Sequence, residues 1–107
     1  MKVLCIGDIV GTPGCEMVCS QLKYIIADYN IDFVIANGEN GATGNGITEQ
    51  KANALIEAGV DVITLGNHGF EKPDALKLLN SGFPIIRPAN LPDSAPGKGY
   101  IIKEVRG

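Results

Sequence analysis

Residues 33–40 read Phe33-Val34-Ile35-Ala36-Asn37-Gly38-Glu39-Asn40, an apolar run that passes straight into a polar turn broken by glycine. An unbroken apolar run from Phe33 to Ala36 predicts a short strand covered on both faces, since a half-exposed strand would alternate. The arrangement recurs on either side. Val3 to Ile6 leads into Gly7-Asp8, and Val60 to Leu65 leads into Gly66-Asn67-His68. Helical patterns fill the intervals. Short apolar strands alternating with helices are the signature of an α/β fold, here a mostly parallel sheet flanked by helices.

The helices follow from capping and periodicity. Thr12 is placed to cap the first, with Pro13 at its first position, where a missing N–H costs nothing. Cys15, Val18, Leu22, Ile25, Ile26 and Tyr29 recur at helical spacing and are expected against the sheet. Thr48 reads as the N-cap of the second, with Glu49 in its first turn, Ala52, Leu55 and Ile56 inward, and Gly59 past its end. Pro73 opens a third helix carrying Leu76 and Leu79, closed by Asn80-Ser81-Gly82. Pro84 to Ile86 is expected as a fourth strand. A proline-rich loop from Arg87 to Lys98 then leads to a fifth, Tyr100 to Val105. No repeat or linker divides residues 1–107, which read as one domain or part of one.

Composition narrows the function classes. The chain has 107 residues, 45% of them hydrophobic, and a formal charge of −3 with no basic run. That argues against electrostatic binding of duplex nucleic acid, which needs clustered Lys and Arg against the phosphates. No apolar stretch approaches the roughly 20 residues of a membrane span, and the apolar start is too short for a signal peptide. A cytoplasmic protein is expected. Cys5, Cys15 and Cys19 show no CxxC spacing and leave one over after pairing, so they are expected as reduced, buried or half-buried thiols.

The chemistry lies where the strands end. In parallel sheets, ligand sites form beyond the carboxyl ends of the strands. If the first three strands are neighbours, Asp8, Glu39, Asn40, Asn67 and His68 meet on one rim. Two carboxylates brought together repel unless a cation lies between them. Oxygen-plus-imidazole ligation suits Mn, Fe or Zn better than copper or an iron–sulfur cluster. His68, the only histidine, is placed to give a proton near neutral pH. Two glycine-rich segments carry less. Gly7 to Gly14 lacks both the Walker A ending and the dinucleotide G-x-G core, and Gly41 to Gly46 reads as a wall of the site rather than a phosphate cradle. Arg87 and Asn90 follow the fourth strand on the same rim and read as loop residues before phosphate ligands.

Gly7-Asp8-Ile9-Val10-Gly11, Ala36-Asn37-Gly38-Glu39-Asn40 and Leu65-Gly66-Asn67-His68 resemble the motifs of the YmdB-like branch of the calcineurin-type metallophosphoesterases, in family order and spacing. Arg87-Pro88-Ala89-Asn90 and Pro96-Gly97-Lys98-Gly99-Tyr100 resemble further stretches of it. The resemblance implies half of a metallophosphoesterase α/β sandwich, with residues 1–107 its N-terminal part and the C-terminal half absent. It also implies a cytoplasmic two-metal phosphodiesterase acting on cyclic nucleotides, cleaving 2′,3′-cyclic nucleotides at the 2′ bond. By it, Asp8 and Asn40 would hold the first metal, Glu39 would bridge, Asn67 would hold the second, and His68 would donate the proton. The ions implied are two divalent metals, Fe or Mn first, then Zn or Mg. The family's second half brings three further metal-binding histidines. A chain without them is expected to be weak or inactive alone, with a complementary half or a second copy as partner. The alternatives are a non-catalytic nucleotide-binding module and a remnant without function. After His68 this chain reads Gly69-Phe70-Glu71, where the family carries a bulkier stretch.

Overall fold

A computed structural model describes residues 1–105. Four strands, β1 (Val3–Ile6), β2 (Phe33–Asn37), β3 (Val62–Thr64) and β4 (Ile85–Ile86), form one sheet in the order β1-β2-β3-β4. Every neighbouring pair is parallel, with Cys5 beside Ile35, Ile35 beside Val62, and Ile63 beside Ile85. The helices α1 (Gly11–Tyr29), α2 (Glu49–Ala58) and α3 (Asp74–Leu79) are the crossovers. The α/β class expected from the alternation is the fold observed.

The order of the sheet decides its layering. Each right-handed crossover steps one strand in the same direction, so all three helices fall on one face. That face presents Val34, Ala36, Ile63 and Ile85 to Leu22 of α1, Ala52 and Leu55 of α2, and Leu78 and Leu79 of α3, all in one buried cluster. The other face carries Val3, Cys5, Phe33, Ile35, Val62, Thr64 and Ile86, and among the described residues no helix covers it. Cover on both faces, expected from the unbroken apolar run, is therefore corrected: helices cover one. The last described residues lie across the second face, where Tyr100, Ile101 and Val105 line a hollow of about 420 Å³ with Phe33, Ile35 and Val62.

Hence the fifth strand is also corrected. Tyr100 to Val105 forms no strand. Tyr100, Ile101 and Val105 line the hollow over the helix-free face, and lying there takes the segment away from the edge where ladder bonds form. The cover is partial: Tyr100 is 67% and Ile102 87% exposed.

Helix ends follow local chemistry, with two shifts. The Thr48 hydroxyl accepts from the Lys51 N–H, and Gly59 takes φ 124° past the end of α2, both as expected. α1 instead starts at Gly11, with Val10 at its N-cap and no side-chain cap, so Thr12 lies inside the helix. The Thr12 hydroxyl accepts from Lys51 Nζ at 3.1 Å, tying α1 to α2. The inner face of α1 is narrower than expected: Cys15 and Leu22 are buried, whereas Tyr29 is 63% exposed. In α3, Leu79 is buried as expected but Leu76 is exposed, and Ala75 and Leu78 complete the inner face. Of the thiols only Cys15 is buried; Cys5 and Cys19 are exposed, and all three are free.

The contrast between Leu55 and Leu76 gives a stability prediction. Leu55 is fully enclosed, so Leu55→Ala is expected to cost about 2–5 kcal/mol. Leu76→Ala is expected to stay within about 0.5 kcal/mol. Urea midpoints of the two variants check the assignment, and equal shifts would contradict it.

Candidate active site at the strand ends

Backbone bonds weld the loops that leave β1, β2 and β3 into one rim. The Ile9 N–H donates to the Asn37 carbonyl, the Gly11 N–H to that of Asn40 at 2.8 Å, and the Gly38 N–H to that of Thr64 at 3.0 Å. Ile9 is buried beneath the first loop and anchors it. Cys15 stands under the second, its Sγ donating to the Gly41 carbonyl at 3.5 Å. Burial, partly offset by Lys51, pushes the Cys15 thiol above its ordinary pKa and keeps the proton this bond needs. The glycine-rich segment closes on itself through the Ala42 N–H and Gly46 carbonyl, and the Gly46 N–H returns to the Glu39 carbonyl. Gly46, at φ 92°, packs on the Lys72 side chain. These bonds make the segment a wall beside Glu39.

Four of the five rim residues are joined by side-chain hydrogen bonds. Asn40 is the hub: its Nδ2 donates to Asp8 Oδ1 at 2.9 Å, and its Oδ1 lies 2.9 Å from His68 Nδ1. A carbonyl oxygen only accepts, so Nδ1 of His68 carries a proton and Nε2 is left for other partners. Glu39 Oε2 accepts from the backbone N–H of His68 at 2.8 Å, and Oε1 accepts from Asn37 Nδ2 at 3.3 Å. Asp8 is held at φ 47°, in the left-handed region that Asp tolerates better than most side chains. Such a conformation costs on the order of 1 kcal/mol or more and persists where surrounding bonds over-determine it. Asn67 lies exposed between Gly66 and His68, and no side-chain hydrogen bond joins it to the other four.

The rim is acidic. Among the described residues no Lys or Arg forms an ion pair with Asp8 or Glu39. Hard oxygen donors and one imidazole suit a divalent ion. The set is nonetheless incomplete, because among the described residues no three His, Cys, Asp or Glu side chains converge to hold a metal. The donors fit part of a metal shell.

Arg87 is not part of this network. It is buried, with Nη1 donating to the Pro88 carbonyl and Nε to that of Pro96, so its guanidinium closes the loop after β4. Asn90 is exposed in the same loop. Two residues that the motifs contain but residue chemistry alone did not single out are Asn37, which reaches Glu39, and Gly66, whose missing Cβ leaves room for the Glu39 carboxylate. The signal for Asn37 was an amide ending an otherwise apolar strand. For Gly66 there was none, because the clash is with a residue 27 positions away.

Comparison with known proteins places these motifs. The family model described as YmdB-like protein matches residues 4–107. A 2′,3′-cyclic-nucleotide 2′-phosphodiesterase of Bacillus subtilis is 40% identical over 107 residues, all of this chain and 40% of that protein. A putative phosphatase/phosphodiesterase of Mycoplasma pneumoniae is 36% identical, across 97% of this chain and 38% of that protein. The crystal structure of a hypothetical protein from Thermus thermophilus superposes with TM-score 0.92 at 45% identity, covering all of this chain and 41% of that one. A phosphatase crystal structure from Mycoplasma pneumoniae gives TM-score 0.87 at 34% identity. The chain spans about two fifths of the length of these relatives.

Proposed function

The chain belongs to the YmdB-like protein family, and on that premise we propose that it forms the strand-end half of a cytoplasmic, metal-dependent phosphodiesterase acting on cyclic nucleotides, with 2′,3′-cyclic nucleotides as substrates. The observation that carries this reading is the rim itself, where Asn40 links the Asp8 carboxylate to His68 and, among the described residues, no Lys or Arg forms an ion pair with Asp8 or Glu39. Asp8, Glu39, Asn40 and Asn67 are the residues that would hold two divalent ions, iron or manganese before zinc or magnesium. When bound, such ions lower the pKa of the attacking water and offset charge building at phosphorus. Asn40 can ligate through the second lone pair of Oδ1 without releasing His68. His68, held through Nδ1, presents Nε2 to the leaving oxygen. The water oxygen bonds to phosphorus and releases a proton to solvent, and the bond to the 2′ oxygen breaks. The Nε2 proton of the His68 imidazolium passes to that oxygen, leaving the ring with its Nδ1 proton to be reprotonated from solvent.

Two features support a requirement for a second polypeptide layer. The donors are too few for two metal shells, and the apolar sheet face is only partly covered. The occupant proposed for that face is a polypeptide equivalent to the remaining three fifths of the relatives' length. It would lie on Phe33, Ile35, Val62 and Ile86 and reach the rim at the strand ends.

The test mixes the chain with the remaining part of the Thermus thermophilus relative, expressed as a separate polypeptide. Manganese-dependent hydrolysis of a 2′,3′-cyclic nucleotide is expected in the mixture and not with the chain alone. Hydrolysis that persists in excess chelator would overturn the metal assignment. A stable complex that binds nucleotide without metal and hydrolyses nothing would make the chain a binding module instead.

A further inference from the structure

We propose that Asn37 is a positioning residue that sets the plane of the Glu39 carboxylate; this rests on the reading of Glu39 as the metal-bridging ligand. Asn37 is the last residue of β2, half-buried and paired in register with Thr64. By strand alternation its side chain falls on the face of Phe33 and Ile35, away from the helices. An apolar residue there would extend the apolar surface, so the fold alone has no need of an amide. The structure puts that amide to one use: Nδ2 donates to Glu39 Oε1.

The geometry explains why one bond would not suffice. The last torsion of a glutamate is broad, so a carboxylate anchored at one oxygen still rotates. Glu39 is anchored at both, Oε2 by the His68 N–H at 2.8 Å and Oε1 by Asn37 at 3.3 Å. Beside them stands Gly66, where an added Cβ would lie 2.6 Å from Oε2 and 2.7 Å from Cδ. Two donors and a wall leave the carboxylate one plane. Each oxygen keeps a further lone pair for a cation. Asn37 thus does for a carboxylate what hydrogen-bond partners of ligating histidines do for imidazole.

Asn37→Asp keeps the shape of the side chain but replaces the donor with a charge that repels Glu39. Asn37→Ala removes the donor without the repulsion. The first readout uses the metal-free chain and amide hydrogen exchange by NMR. In both variants the His68 amide is expected to exchange about tenfold faster, the loss of roughly one hydrogen bond's net worth. The Gly38 and Gly41 amides, bonded to backbone carbonyls at 3.0 Å, are expected to keep their protection. A His68 amide that does not respond overturns the proposal. So does loss of protection at all three amides together, which would make Asn37 a general fold residue.

The second readout is Mn(II) affinity of the chain assembled with its complement, measured by electron paramagnetic resonance. It is expected to fall about 10–100-fold in Asn37→Asp, and an unchanged affinity overturns the proposal. If the unaltered assembly binds no Mn(II), the metal reading itself fails, while the metal-free exchange measurement still decides whether Asn37 positions Glu39.

Discussion

Replacing Glu39 by alanine is expected to lower the phosphodiesterase activity of the metal-loaded, assembled protein on the order of a thousandfold. The size follows from Glu39's proposed place between two ions. Metal stabilisation of the reacting phosphate is worth several kcal/mol, and each factor of ten in rate corresponds to about 1.4 kcal/mol. The fold is expected to survive. Glu39 is half-buried, and its loss strands two donors, Asn37 Nδ2 and the His68 N–H. Leaving them unpaired costs roughly 1–3 kcal/mol, less if water reaches them. A variant that unfolds cooperatively near the parent midpoint but turns over at background rate bears the assignment out. One that keeps saturated activity would falsify Glu39's role, and with it the two-metal reading.

The second large effect is expected from Gly66→Ala, with Gly7→Ala as its control. Both glycines stand at a strand end directly before a proposed ligand, so in sequence they are equivalent. In space they differ. A Cβ at Gly7 would meet nothing within 4 Å, whereas one at Gly66 would overlap Glu39 Oε1 and lie within 2.7 Å of Cδ. The carboxylate would have to leave its two donors. A displacement of about 1 Å at a catalytic group can cost on the order of a hundredfold in rate, and overpacking adds about 1–3 kcal/mol of destabilisation. Gly66→Ala is therefore expected to lose at least about a hundredfold in activity, while Gly7→Ala stays near the parent. Equal activities, read beside urea midpoints, would show that Glu39 has freedom the structure does not allow it.

The candidate site was legible in parts. Asp8, Glu39, Asn40, Asn67 and His68 could be picked out as candidates because they are polar residues that follow apolar runs, and parallel strands carry their ends to one rim. Their connections could not be read. That Asn40 is the hub depends on the loop after β2 crossing to the loop after β1, which the Gly11 N–H bond to the Asn40 carbonyl secures. The helix errors have a similar origin. Ile25, Tyr29 and Leu76 fit the helical spacing but lie at the margin of packed faces, and periodicity marks a stripe without giving its width.

The features already written in the residue order are local: both ends of β1, the Thr48 cap and Gly59 stop of α2, the alternation that makes the fold α/β, and the polar ends of its strands. These follow from dihedral preference, hydrogen bonds a few residues long, and the burial of apolar runs. Packing of the whole chain chose which strands are neighbours, and through that order it put all three helices on one face. A consecutive apolar run in β2 reads the same whether its second face meets a helix, another sheet or a crossing segment, since burial does not record what does the burying. For the same reason Tyr100 to Val105 looked like a strand and lies across the sheet instead. The plane of the Glu39 carboxylate is likewise a property of the assembled rim, set by Asn37, the His68 amide and the space at Gly66.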